Sequence, residues 1–99
     1  MEISETLIEL MRNALRISNT SEAITAEIKN SIMAALLDLK QQGVVKLEQD
    51  DALIIRAVTL YCRSEFNFNG KAEAYRNSYD LQKMSLALDI DYNTSESEG

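Results

Sequence analysis

The chain has 99 residues, 45% of them apolar and 26% charged, with sixteen acids against ten bases for a net charge of −6. That length makes one domain with a modest core, and an acidic balance argues against a tight nucleic-acid binder, which needs a basic patch. One cysteine, Cys62, excludes internal disulfides and a cysteine zinc cluster, and the absence of histidine excludes Ser-His and Cys-His nucleophile pairs and histidine metal sites.

In chain order, Ser4 is suited to N-cap a first helix over 5–17, with Ile3 packing on Ile8 as a hydrophobic staple. Leu7, Ile8, Leu10, Met11, Ala14 and Leu15 recur at helical spacing, and Glu5, Glu9, Arg12, Asn13 and Arg16 fall on the other face. The polar run Ser18-Asn19-Thr20-Ser21 is turn and cap chemistry. A second helix follows over 22–41, its inward stripe formed by Ile24, Ile28, Ile32, Ala35, Leu36 and Leu39 and widened by Met33 and Leu37. Gly43 is placed as its left-handed stop. Residues 44–49 read as a loop that plugs the bundle end, with a short strand left open as an alternative.

The third helix, 51–66, is the centre of the reading. From Ala52 to Cys62 only Arg56 and Thr59 interrupt apolar side chains, and a helix apolar nearly all round is buried on most sides. Asp50 and Asp51 are suited to its N-terminus. Asn67-Phe68-Asn69-Gly70 forms the next turn, and a fourth helix covers 71–88. Tyr75, Tyr79, Gln82 and Leu86 line its stripe, with Ala74, Leu81, Met84 and Leu88 nearby. The expected fold is therefore all-α, a bundle of about four helices within a domain of residues 1–90. Residues 91–99 form an expected flexible acidic tail. No apolar run approaches the roughly 18 residues that a membrane span requires, and no basic-then-apolar leader opens the chain, so the expected setting is intracellular.

Catalysis is not expected. The carboxylate pairs Asp50-Asp51 and Glu96-Glu98 sit at a helix cap and in the tail, not in a cleft that would shift their pKa values. The three glycines, at 43, 70 and 99, form no phosphate loop, and no calcium-loop pattern is present, so no cofactor or metal is expected. Cys62, inside the apolar helix, reads as a small buried hydrophobe. Arg56 and Arg63 lie seven residues apart on roughly one helix face; a DNA-reading helix would use them, but pairing with acids or lining a subunit interface suits an acidic chain better. Tyr61, Phe66, Tyr75 and Tyr79 stand at packing positions between the last two helices, whereas Phe68 in the turn suits a partner contact.

Four segments then carry a resemblance: ALRIS (14–18), EIKNSIMAALLDLKQQGV (27–44), DALIIRAVTLYCRSEF (51–66) and AYRNSYDLQKMSLALDIDY (74–92). In their order, and in the YxxSY segment that follows a hydrophobic helix ending in an aromatic, they resemble the small phage head–tail connector proteins, often labelled DNA-packaging proteins. The resemblance spans about residues 7 to 92. The chain departs from relatives that often carry a proline in the turn before the last helix. What the resemblance implies is structural: a ring of about twelve subunits under the portal at the capsid vertex, a DNA channel along its axis, and docking of the next head-completion or tail protein. It implies assembly in the host cytoplasm and a final place at the virion neck, with no membrane. Arg56, Arg63, Phe68, Tyr75 and Tyr79 are then the expected subunit or partner contacts. The alternatives are a small helical DNA-binding regulator and a monomeric helical domain that binds one protein partner.

Overall fold

Each helix begins where a short polar side chain replaces a missing backbone partner. The structure, a computed structural model, describes residues 2–94. Helix α1 spans Glu5–Ala14, and the Ser4 hydroxyl accepts the Leu7 amide at 3.1 Å. Helix α2 spans Glu22–Gln41 with Ser21 in the same role, and α3 spans Ala52–Glu65 with the Asp51 carboxylate accepting the Leu53 and Ile54 amides. These bonds satisfy donors that the first helical turn leaves open. Ile3 and Ile8 are both buried, as the staple requires. A 3-10 turn over Phe68–Gly70 leads into α4, Ala72–Leu88, and a last short helix α5 covers Ile90–Asn93.

The helix ends explain where the expected boundaries moved. Helix α2 stops as expected: Gly43 adopts φ 104°, its amide donates to the Lys40 carbonyl, and the Val44 amide donates to the Leu39 carbonyl. Helix α1 ends with the same pair of bonds, Arg16 to Asn13 and Ile17 to Arg12, so it closes at Ala14 and not at residue 17. This is a Schellman closure, and its left-handed position is held by Arg16 at φ 56° instead of by glycine. Helix α3 ends at Glu65 with Phe66 as its cap, and the left-handed position that follows is Asn67, φ 49°, whose side-chain oxygen also accepts the Ala72 amide at the start of α4. One asparagine thus serves two helices.

Helix α3 packs against α1, α2 and α4. The core gathers Leu7 and Met11 from α1 and Leu15 from its cap, Ile28, Ile32, Ala35, Leu36 and Leu39 from α2, Ile54, Ala57, Val58 and Cys62 from α3, and Tyr79 and Leu86 from α4. Val44 is fully buried and Leu47 packs on the core, so residues 44–49 close the bundle end without a strand among the described residues. The domain measures 44 × 27 × 19 Å.

Two expectations change at the surface of the bundle. Arg12, placed on the wet face of α1 by periodicity, is 6% exposed. Its guanidinium donates to Glu9, to the Asn19 carbonyl at 2.6 Å and to the Thr25 hydroxyl at 2.8 Å, so it ties α1 to the following loop and to α2. The chain also stays ordered past the expected start of the tail at 91. The Val45 and Lys46 amides donate to the Tyr92 carbonyl, and the Tyr92 hydroxyl donates to the Asp51 carboxylate that caps α3. Residues 95–99 of the expected tail lie outside the described residues.

Candidate contact surfaces

Helix α4 has two apolar stripes on nearly opposite sides. Tyr79 and Leu86, seven residues apart, turn into the core and are essentially fully buried. Leu81, Met84 and Leu88 follow each other at i, i+3 and i+7 and are 69%, 58% and 78% exposed. At 100° per residue the second stripe is turned by roughly 140–200° from Tyr79, so no rotation of the helix buries both in one bundle. Ile90, at the head of α5, is 72% exposed as well. The sequence reading placed Leu81, Met84 and Leu88 beside the inward stripe; the signal for a separate face was their own i, i+3, i+7 spacing. Burying three such side chains on a partner is worth about 1.5–3 kcal/mol each, so this is the surface with the most to gain from contact.

The inner face of α4 is held by a polar and aromatic clamp. The Tyr79 hydroxyl donates to Asp38 Oδ2 at 2.6 Å and Lys83 Nζ donates to the same oxygen at 3.0 Å. Tyr61 of α3 meets Tyr79 edge to face with centroids 5.1 Å apart, while Arg76 lies 4.6 Å over Tyr61 and pairs with Glu65 at 2.7 Å. Burial pushes the Asp38 carboxyl up, but the Tyr79 hydroxyl and the Lys83 and Arg76 charges outweigh it, leaving it below its ordinary value. Burial, then the Asp38 carboxylate that accepts its proton, raises Tyr79 far above the ordinary tyrosine range. The pair therefore holds one charge and one neutral phenol across the neutral range, which suits a structural bond between α2 and α4.

Three of the five expected contact residues meet at the other end of the α3–α4 hairpin. The Arg63 guanidinium lies 5.0 Å over the Phe68 ring and 5.7 Å over the Tyr75 ring, and those rings are 6.1 Å apart. Its Nε and terminal nitrogen also donate to the Ala14 carbonyl at 3.3 and 3.2 Å, so the arginine covers the open end of α1. All three side chains are half-buried. Arg56 stands apart, exposed on the outer face of α3, with no hydrogen bond or ion pair among the described residues. Tyr79 is placed in the subunit's own core, which removes its side chain from any contact surface of this form. Cys62 is buried, and burial raises its thiol to about 11, in line with a packing role.

Among the described residues no three His, Cys, Asp or Glu side chains come together to hold a metal, and no helix is long and apolar enough to cross a membrane. An all-α domain whose most prominent surface is an unshielded apolar helix face belongs to the class of small helical assembly proteins. Its residues 7–93 match the family model described as phage connector protein, and the chain belongs to that family. No curated protein and no solved structure matches it significantly. Membership gives the chain a structural role in a phage head–tail connector, with portal or tail proteins as partners and the virion neck as its place.

Proposed function

We propose that the chain is a ring-forming neck subunit: copies close around one axis beneath the portal, extend the DNA channel, and present a platform for the next head-completion or tail protein. The supporting observation is the outward stripe Leu81, Met84 and Leu88, which a solitary domain leaves in water. A head-to-tail contact that closes makes a ring, and a ring of about twelve copies is the number that the family resemblance suggests. Arg56 and the Arg63–Phe68–Tyr75 cluster are the proposed remaining contacts to neighbours, portal or tail protein, while Tyr79 serves the core. A channel wall contributed by a chain of net charge −6 suits DNA that slides, because each neutralised phosphate would hold it. Assembly takes place in the host cytoplasm before the part joins the neck.

The test is incubation of the purified chain with the portal of its own phage, followed by electron cryo-microscopy. A closed ring coaxial with the portal is the expected result. Single copies scattered on the portal rim, or no binding at all, would overturn the ring.

A further inference from the structure

We propose that neighbouring copies join by laying the outer face of α4 on one copy against the outer face of α3 on the next. This names the surfaces of the ring contact and rests on the ring reading. The α4 face carries Leu81, Met84 and Leu88, and at helical spacing Glu73 and Asp80 both fall along the same flank of that stripe. Both acids are exposed; Asp80 has only a 3.9 Å approach to Lys83, and Glu73 has no ion pair among the described residues. The α3 face repeats the same spacing with a different charge. Leu53, Arg56 and Leu60 stand at i, i+3 and i+7, with Leu53 40% exposed, Leu60 half-buried and the Arg56 guanidinium without an ion pair among the described residues.

The two faces therefore share a pair of leucines seven residues apart, Leu81 and Leu88 against Leu53 and Leu60, and are opposite in charge. Pairing α4 with itself about a two-fold axis fits less well. In antiparallel helix packing the same flank meets the same flank, so a two-fold near Leu81 would bring two Asp80 carboxylates together, and like charges in a contact are costly. The α3 face supplies the base that α4 lacks. A contact between two different faces leaves one of each free on every copy, which is the condition for a ring instead of a closed pair.

Two variants that each add one exposed cysteine test the pairing, Arg56→Cys and Asp80→Cys, each in the full chain. Cys62 stays in place because it is buried and its thiol is held protonated. The variants are concentrated separately and as an equal mixture, treated with a short bis-maleimide, and resolved on a denaturing gel beside light scattering of the wild type. The expected result is a cross-linked dimer in the mixture, several-fold above either variant alone. A third variant, Leu81→Asp, should keep the helical circular dichroism of the wild type and weaken self-association at least ten-fold. A wild type that oligomerises while the mixture gives no excess product, or while Asp80→Cys alone gives the dimer, overturns the pairing and leaves the ring intact. A wild type that stays single both alone and on the portal removes the ring, and the pairing falls with it.

Discussion

Arg16 is the residue whose backbone works hardest against its side chain. It holds φ 56° so that α1 can close, a conformation that costs a side-chain-bearing residue about 1 kcal/mol relative to glycine. The Arg16 side chain is exposed and makes no hydrogen bond or ion pair among the described residues, so no side-chain contact offsets that cost. Arg16→Gly should therefore raise stability by roughly 0.5–1 kcal/mol, the gain being trimmed by glycine's greater freedom when unfolded. A urea titration reads it as a higher midpoint with unchanged slope; a midpoint equal to or below the wild type would mean that the arginine side chain supports the turn. This end of α1 was not legible in the sequence, because helix-stop signals look for glycine or asparagine, and Ser18 was the first polar turn residue after the apolar run. The same holds for Arg12. Periodicity assigns a charged residue to water, and only the tertiary placement of Asn19 and Thr25 gives its guanidinium enough acceptors to be buried.

At the level of elements, α4 is held to the bundle by few buried apolar side chains and by the acid that α2 offers it. Sequence periodicity identified Tyr79 as an inward residue but gave no sign that Asp38, forty-one residues earlier, would receive its hydroxyl. Such a bond between distant elements leaves no trace in local spacing. Asp38 has a lowered pKa, so the folded chain holds its proton less tightly than the unfolded chain does. The stability it contributes is complete above the unfolded value, near 3.8, and is lost as pH falls below it. Tyr79 is shifted upward, so its contribution is complete below pH 10 and is lost as the medium becomes more alkaline. Tyr79→Phe should cost about 1 kcal/mol at neutral pH, the worth of one hydrogen bond, and should flatten the alkaline limb of a stability–pH profile. Asp38→Asn should cost about 1–2 kcal/mol and flatten the acid limb below pH 4 instead. Urea midpoints collected from pH 2.5 to 10.5 check both; an acid limb that Asp38→Asn leaves unchanged, or an alkaline limb that Tyr79→Phe leaves unchanged, would show that the clamp is not what titrates.

For the molecule as a whole, the four long helices and their order were plain in the sequence, because capping residues and 3.6-residue spacing act locally and the core needs only their sum; the short α5 was not, since four residues carry no periodicity. What stayed hidden was which apolar stripes the core could not accommodate, and that is a property of four helices packed together. The same global view bears on DNA. Of the ten basic side chains, Arg12 is buried, Arg63 covers α1, Arg76 pairs with Glu65, and Lys83 pairs with Asp38. The others, Arg16, Lys29, Lys40, Lys46, Arg56 and Lys71, are spread over α1's end, α2, the 44–49 loop, α3 and the start of α4. They are divided among five separate segments of the chain, and the acids outnumber them. Non-specific DNA binders neutralise several phosphates and reach dissociation constants of about 10⁻⁴–10⁻⁶ M at physiological salt, with affinity falling by about 0.9 log unit per phosphate for each log unit of salt. The isolated subunit should fall outside that range. Fluorescence anisotropy of a labelled duplex, titrated to about 100 μM protein at low and at physiological salt, should rise little and show no steep salt dependence. A micromolar dissociation constant that weakens sharply with salt would mean that three or more phosphates are being neutralised, which this distribution of charge does not support and which a DNA-binding regulator requires. In the proposed ring, a wall of this charge would neutralise few phosphates and so would leave the duplex free to slide.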